Sequence, residues 1–141
     1  CSTARSCLRS KAAAELTQQP VYCTQNQLGR FNAGEIVIHL ALHLIIPALV
    51  AAAFYRAGWR RAFALMMCGM LIDIDHLLAN PIYDPARCSI GFHPLHTLLP
   101  AALYSVFLAS KTTRPLGIGL YLHLALDSLD CYVTNGVWIT P

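Results

Sequence analysis

The chain of 141 residues is long enough for one domain, but its composition excludes an ordinary soluble one. Hydrophobic residues make up 56% of it and charged residues 12%, about half of the roughly 25% charged share of typical soluble domains. The formal charge of +3 is modest, and no basic stretch is interleaved with aromatic residues, so nucleic acid is not a predicted partner.

The chain begins with a polar stretch, residues 1–34, in which Ser, Thr, Gln and Arg dominate. This stretch has no periodicity and no apolar run long enough for a signal peptide. We expect a poorly ordered N-terminal tail, followed by a folded domain over residues 35–141.

Four apolar segments follow the tail, at residues 35–55, 62–79, 95–110 and 116–133. The first has about 20 residues, which at 1.5 Å per residue is enough to cross a hydrocarbon core of about 30 Å. The segments are apolar all round, which favours a membrane bundle over a bundle in a soluble protein. The sequence therefore predicts an all-α fold, a polytopic membrane bundle of about four transmembrane helices with the lipid bilayer as a partner.

Proline and glycine mark the ends of these segments. Asn80 and Pro81 stop the second segment, and Asn135-Gly136 predicts a turn after the fourth. Pro94 suits the first helical position of the third segment, and Pro100 predicts a kink inside it. Gly119 and the nearby Gly117 predict a close approach between helices.

The basic residues of the short connections predict the topology. The first connection holds Arg56, Arg60 and Arg61, and the third holds Lys111 and Arg114. The positive-inside bias places both in the cytoplasm, and so places both termini and the second connection outside. The tail also carries Arg5, Arg9, Lys11 and Arg30, which opposes this orientation, but of these only Arg30 lies close to a span.

Histidine and aspartate interrupt the apolar segments at one level of this topology. The first span carries them in its outer half, the second at its outer end, the third at its start and the fourth toward its outer end: His39 and His43; Asp73, Asp75 and His76; His93 and His96; His123, Asp127 and Asp130. If the bundle had the opposite orientation, all of these residues would move to the other membrane face and would still lie at one level. Aspartate within a span is costly and is by default functional, whereas Asp130, at the membrane edge, is expected to be solvated.

The spacing of these residues predicts a divalent-metal site. His39 and His43, like His123 and Asp127, are four residues apart and share one face of a helix, so each pair can bind one ion. The candidate ligands are His39, His43, Asp75, His76, His93, His96, His123 and Asp127. Imidazole with carboxylate suits zinc, manganese, iron or nickel, and zinc is the first expectation.

The candidates outnumber the ligands of one tetrahedral ion, so either two ions bind or some residues orient the ligands. A network of ion pairs is the alternative to a metal. Met66, Met67 and Met70 are expected to contact lipid or the core rather than a metal.

Six cysteines are present, at positions 1, 7, 23, 68, 88 and 131, and none has the spacing of a zinc ribbon. Cys68 lies in an apolar segment and is read as a small hydrophobic residue. Cys88 and Cys131 flank the polar residues. They can form a disulfide if that face is extracytoplasmic, and otherwise they are ordinary cysteines.

Three motifs resemble a bacterial family of small integral membrane proteins labelled a domain of unknown function. They are Asp73-Ile-Asp75-His76, Asp84-Pro85-x-Arg87-Cys88-Ser89-x-Gly91-Phe92-His93-Pro94-Leu95-His96, and His123-x-x-x-Asp127. More distantly, the chain is similar to the LexA-regulated membrane-bound metal-dependent hydrolases. This resemblance implies a bacterial inner-membrane protein with functional residues at His43 or His39, Asp73, Asp75, His76, His96, His123 and Asp127.

The leading hypothesis is therefore a membrane-embedded metal-dependent hydrolase that acts on an amphipathic substrate, lipid-like or a phosphate or other ester, at the outer face. Asp73 is the expected general base or bridging ligand, and Arg87 is expected to hold a phosphate or carboxylate. A transport-type protein is one rival, although the inner halves of the spans are apolar. A non-catalytic membrane protein with a structural metal is the other. The sequence does not specify the oligomeric state.

Overall fold

A computed structural model describes residues 33–80, 82 and 87–139. In this part of the chain 79% of the residues are helical and no strand occurs, so the predicted all-α class is confirmed. The predicted tail, apart from its last two residues, and the motif residues Asp84 and Pro85 lie outside the described residues.

The first apolar segment forms a continuous helix, α1, from Ala33 to Phe54. Its stretch Ile36–Phe54 is long and apolar enough to cross a membrane, and only 17% of its most apolar window is buried within the protein. Among the described residues no other helix combines this length with this apolar character. One candidate span is thus present, and the bundle of four spans remains a prediction.

The second apolar segment changes helix type along its length. A 3-10 turn at Arg56–Gly58 leads into α2, Trp59–Met67, which continues as a 3-10 helix over Cys68–Leu78. The sequence predicts one helix here, without the change of type. Runs of 3-10 helix beyond three or four residues are uncommon and often mark functional positions. With three residues per turn, Asp73 and His76 stand one above the other.

The third apolar segment is broken rather than continuous. Pro94–His96 form a short 3-10 turn that has Pro94 at its first position, as predicted. Thr97 is extended, with φ −92° and ψ 169°, and α3 (Leu98–Tyr104) and α4 (Val106–Ala109) follow. The kink predicted at Pro100 is wrong. Pro100 lies in the first turn of α3, where its missing N–H costs nothing, and the break precedes it at Thr97.

The fourth apolar segment forms α5, Arg114–Asn135, which ends where the sequence predicts a turn. Gly136 adopts the left-handed conformation, with φ +73°, and its N–H donates to the carbonyl oxygen of Tyr132 at 2.9 Å. A glycine at this position ends a helix without the steric cost that a side chain would add.

Glycines bring α5 against α2 and the 3-10 helix that follows it. A Cβ on Gly119 would lie 2.4 Å from the carbonyl oxygen of Met66, and a Cβ on Gly69 would lie 2.9 Å from the carbonyl carbon of Gly119. One turn further along both helices, Met70 meets His123, so the two helices run in the same direction. The predicted close approach at Gly119 is confirmed, and it places the following turns within reach of each other.

Burial in this bundle is the reverse of the usual pattern. Six polar side chains are at most 4% exposed: His43, Asp75, His93, His96, His123 and Asp127. Large apolar side chains such as Leu49, Leu71 and Leu98 are at least 60% exposed. The structure therefore gathers its imidazoles and carboxylates inside and leaves apolar surface outside.

Candidate metal centre

The predicted convergence of polar residues from separate segments is present in the structure. α1 contributes His39 and His43, the 3-10 helix contributes Asp73, Asp75 and His76, the Pro94–His96 turn contributes His96, and α5 contributes His123 and Asp127. Three overlapping groups of donor atoms result, and within each group all atoms lie within 4.8 Å of one another.

The central group consists of four donor atoms, one each from Asp73, His96, His123 and Asp127. The Nε2 atoms of the two histidines are 3.3 Å apart. Oδ1 of Asp73 lies 3.1 Å from the His123 Nε2 and 3.4 Å from the His96 Nε2. Oδ2 of Asp127 lies 3.2 Å from the His96 Nε2 and 3.4 Å from the His123 Nε2.

These separations match the edges of a tetrahedral coordination site. Zinc bonds of about 2.0–2.1 Å to nitrogen and oxygen place neighbouring ligand atoms about 3.3–3.4 Å apart. The five separations between donor atoms given above run from 3.1 to 3.4 Å. The donor set therefore suits a small divalent ion in both size and chemistry.

The other ring nitrogen of each histidine has its own acceptor. Nδ1 of His96 lies 3.1 Å from Oδ2 of Asp75, and this oxygen also accepts the Leu95 N–H at 2.7 Å. Nδ1 of His123 lies 3.3 Å from the sulfur of Met70, while its Nε2 lies 3.1 Å from Oδ1 of Asp73. Neutral rings that keep their proton on Nδ1 would present both Nε2 lone pairs to the centre, which is the arrangement in which histidine binds metals.

The centre consequently holds buried acceptors that face one another. Asp127 is 4% exposed, and its Oδ2 has no hydrogen-bond partner in the described part of the chain. Burying an acceptor without a donor costs about 1–3 kcal/mol, and more for a charged group. A cation at the centre would remove this cost.

A second group adjoins the centre on the α1 side. Oδ1 of Asp127 lies 3.2 Å from Nε2 of His43 and 3.5 Å from Nε2 of His39. Nδ1 of His39 lies 3.6 Å from Oδ1 of Asp130, so Asp130, although 56% exposed, is not solely a solvated residue.

A third group lies on the side of the second connection. Nδ1 of His76 is 3.3 Å from Oδ1 of Asp75 and 3.5 Å from Oδ1 of Asp73, and its Nε2 bonds to the Ser89 hydroxyl at 3.3 Å. His93 stacks on His76 with ring centroids 3.8 Å apart. Burial and the neighbouring His76 lower the pKa of His93, so its imidazole is neutral near pH 7.

The second connection is fixed over this side of the bundle. Cys88 and Cys131 form a disulfide whose Cα atoms are 5.0 Å apart, so of the two alternatives the paired one is present. Cys68 is a free, exposed thiol. The guanidinium of Arg87 lies over the Phe92 ring, 4.7 Å from its centroid, and Phe92 in turn contacts His93.

The structure thus brings the predicted ligand candidates together, but at different depths. Asp73, predicted as the base or a bridging ligand, is one of the four donors of the central group. His93 lies further out, with its Nδ1 4.0 Å from Oδ1 of Asp75, and Arg87 lies in the second connection, over Phe92. The sequence reasoning did not identify the contacts of Met70, Ser89 and Asp130. No spacing rule identifies these three contacts, because each depends on how separate segments pack.

Comparison with known proteins gives one match. Residues 34–134 match a family of unknown function, DUF6122. No curated protein and no solved structure is detectably similar to the chain.

Proposed function

The chain belongs to the family of unknown function DUF6122, and we propose that it is a membrane-embedded metal-dependent hydrolase. The distant similarity to LexA-regulated hydrolases stays a prediction, so the proposal depends on the residues of this chain. The observation that carries it is the central group, in which Asp73, His96, His123 and Asp127 direct four donor atoms at one point.

The degree of exposure supports the placement in a membrane. The core helix of a soluble protein would be mostly buried, yet only 17% of the most apolar window of Ile36–Phe54 is buried. Val37, Leu40 and Leu44 on this helix are each more than half exposed. Apolar surface of this extent would aggregate in water and is suited to lipid.

The lengths of two other segments fit the same placement. α2 and its 3-10 continuation, nine and eleven residues long, rise by about 35 Å in total at 1.5 and 2.0 Å per residue. α5, with 22 residues, rises by about 33 Å. Both exceed the roughly 30 Å of a hydrocarbon core, whereas α3 and α4 together, over Leu98–Ala109, rise by only about 18 Å and would enter the core without crossing it.

Two independent features favour a site that opens to the extracytoplasmic face of a bacterial inner membrane. The basic connections lie at the opposite ends of the helices from the site, and the positive-inside bias puts them in the cytoplasm. The disulfide of Cys88 with Cys131 lies on the side of the site, and disulfides persist outside the cytosol.

The site residues then have distinct roles. Asp73, His96, His123 and Asp127 hold a divalent ion, with zinc the first choice, and Asp75 orients His96. The ion would polarise the scissile group and lower the pKa of a bound water toward about 7. Asp73 is 39% exposed, so the centre is reached from its side, and the position at the interface suits an amphipathic substrate such as a lipid headgroup ester.

Arg87 places a positively charged group in the second connection, on the side from which a substrate would approach the centre. Its guanidinium lies over Phe92, next to the residues that contact the centre, and a guanidinium recognises phosphate or carboxylate through paired hydrogen bonds. A substrate with a phosphate or carboxylate group near the membrane surface fits this arrangement better than a neutral lipid.

The test is a hydrolysis screen on detergent-purified protein reconstituted with zinc or manganese and supplied with mixed lipids and phosphate esters. We expect turnover that a chelator abolishes and that His123→Ala and Asp73→Asn reduce by more than the about 10–100-fold loss usual for a residue that only orients a ligand. Leu77→Ala is the matched control, because Leu77 follows His76 directly and is 65% exposed. Turnover that persists without metal would refute the proposal.

A structural metal without catalysis is the second candidate, because the central group already offers four protein donors, the number that closes a structural zinc site. It predicts that a chelator lowers the melting temperature while no substrate is turned over. X-ray absorption spectroscopy at the zinc edge distinguishes the structural site from the hydrolase. Four protein ligands alone favour the structural role, and an additional water ligand favours the hydrolase.

A further inference from the structure

Asp127 has a second oxygen that faces away from the central group, toward α1. We propose that this Oδ1, together with His39 and His43, binds a second divalent ion, so that Asp127 bridges two ions. The inference rests on the proposed metal centre, because Asp127 is shared, and it assigns a metal-binding role to the first helix.

His43 is the strongest observation for this second site. Its Nδ1 donates to the carbonyl oxygen of His39, one turn back on the same helix, at 3.0 Å. The proton is therefore on Nδ1, and Nε2 carries a lone pair. His43 is 2% exposed, and this Nε2 has no hydrogen-bond partner in the described part of the chain. It lies 3.2 Å from Oδ1 of Asp127, so in the neutral ring two acceptors adjoin each other and a cation between them would stabilise both.

His39 completes the donor set from the next turn of α1. Its Nε2 lies 3.5 Å from the same Oδ1 of Asp127, and the donor atoms of His39, His43 and Asp127 all lie within 4.8 Å of one another. Its Nδ1 lies 3.6 Å from Oδ1 of Asp130, beyond hydrogen-bond distance, so this exposed carboxylate adds negative charge beside the ring.

The two oxygens of Asp127 divide between the two groups. Oδ2 lies 3.2 Å from the Nε2 of His96, while Oδ1 faces His43. A carboxylate shared in this way holds two ions as neighbours, and hydrolytic two-metal sites have ions about 3.5–4 Å apart.

The third donor group is a weaker candidate for the second ion. It contains Asp75, His76 and His96, but the His96 nitrogen nearest to Asp75 is Nδ1, which donates to Oδ2 of Asp75. His96 cannot keep this proton and also bind an ion through the same nitrogen. The group on the α1 side has no such conflict.

The proposed second ion has an open side. It has three protein donors, and His39 is 31% exposed. Three protein ligands with a free position are typical of catalytic zinc, whereas the four donors of the central group come closer to a closed site. The second ion would therefore offer a coordination position in addition to the approach to the central group from Asp73.

The test counts ions in the full-length protein, purified in detergent and reconstituted with Mn²⁺. Elemental analysis is expected to give two ions per chain in the wild type and one in His39→Ala. Electron paramagnetic resonance is expected to show two exchange-coupled Mn²⁺ ions in the wild type and an isolated ion in the variant. His39 is partly exposed, so its truncation is tolerated better than that of His43, and His39→Gln serves as a second variant of similar size.

Leu40→Ala is the matched control, since Leu40 adjoins His39 on α1 and is 56% exposed, and it should retain both ions. One ion in the wild type, unchanged in His39→Ala but lost in His123→Ala, would overturn the second site and leave the proposed function standing. Two ions that His39→Ala and His39→Gln both retain would also overturn it. A protein that binds no Mn²⁺ or zinc would overturn both proposals.

Discussion

Both oxygens of Asp75 lie in a buried polar environment, but they differ in their contacts. Oδ2 accepts one hydrogen bond from the Leu95 N–H and one from Nδ1 of His96. A carboxylate in this position fixes the ring of a ligand histidine and increases its basicity, so it affects metal affinity without binding the ion. The sequence interpretation, which counted Asp75 among the ligands, differs from this role, and the two make different predictions.

We predict that Asp75→Asn weakens zinc binding by about 10–100-fold, the usual cost of losing a residue that orients a ligand. A neutral amide accepts the His96 proton less strongly than a carboxylate, while the four donors of the central group remain. Competition with a zinc-chelating dye measures the affinity, and Ile74→Ala, at a neighbouring position that is 65% exposed, is the control. Complete loss of zinc, as expected for His123→Ala, would instead indicate that Asp75 is a ligand.

For single residues, the sequence predicts which side chains form the site better than it predicts the contacts of their individual atoms. Histidines and aspartates are conspicuous in apolar segments because burying them is costly, and the residues so identified do converge. The orientation of a ring depends on partners such as the Met70 sulfur, which no spacing rule reveals. The same limit applies to Asp130, whose position at a helix end indicates exposure but not its contact with His39.

The helices are held at the required separation by glycine. At Gly119 the backbone of α5 approaches Met66 so closely that an added Cβ would lie 2.4 Å from its carbonyl oxygen. The neighbour is backbone and cannot rotate away, so a side chain there must push the two helices apart. His123 is one turn further along α5, which makes the packing at Gly119 a determinant of the geometry of the central group.

We predict that Gly119→Ala lowers the free energy of unfolding by about 1–3 kcal/mol or more, the usual cost of overpacking, and weakens zinc binding as well. Thermal unfolding in detergent and the dye titration measure the two effects. Gly58→Ala is the control, because a Cβ on Gly58 would meet nothing within 4 Å. A Gly119→Ala protein with the stability and zinc affinity of the wild type would show that the helix contact is not required for the site.

Helix boundaries were more predictable than helix type. Pro94, Pro115 and Gly136 act locally, and the helices start or stop beside them. The 3-10 geometry of Cys68–Leu78 has no comparable local signal, because its residues are as apolar as those of an α-helical span. The break at Thr97 likewise depends on how the Pro94–His96 turn is placed against Asp75, through the Leu95 N–H.

Residues 33–139, where the structure describes them, have a polar interior and an apolar exterior, with the basic connections at one end of the helices and the disulfide at the other. Arg56 lies between α1 and α2, and Arg60 and Arg61 lie in the first turn of α2, at the opposite end of the helices from Cys131. In a membrane this arrangement has one favoured orientation, since basic turns stay in the cytoplasm and the cytosol reduces disulfides. Under the proposed membrane placement, both features favour the same, outer side for the site.

This orientation predicts the labelling pattern of intact cells with a membrane-impermeant maleimide. Val137→Cys, beyond the end of α5, should react in intact cells, whereas Gly58→Cys, in the first basic turn, should react only after permeabilisation. The background carries serine at the remaining cysteines outside the disulfide, namely Cys1, Cys7, Cys23 and Cys68.

The disulfide provides an internal check on the same cells. Without either reporter substitution, the serine background should be unreactive until an impermeant reductant opens the bond between Cys88 and Cys131, and it should then take up two labels. A reactive Gly58→Cys in intact cells, with Val137→Cys protected, would invert the topology. The site would then face the reducing cytosol, where this disulfide would not persist and where the substrate would have to be cytoplasmic.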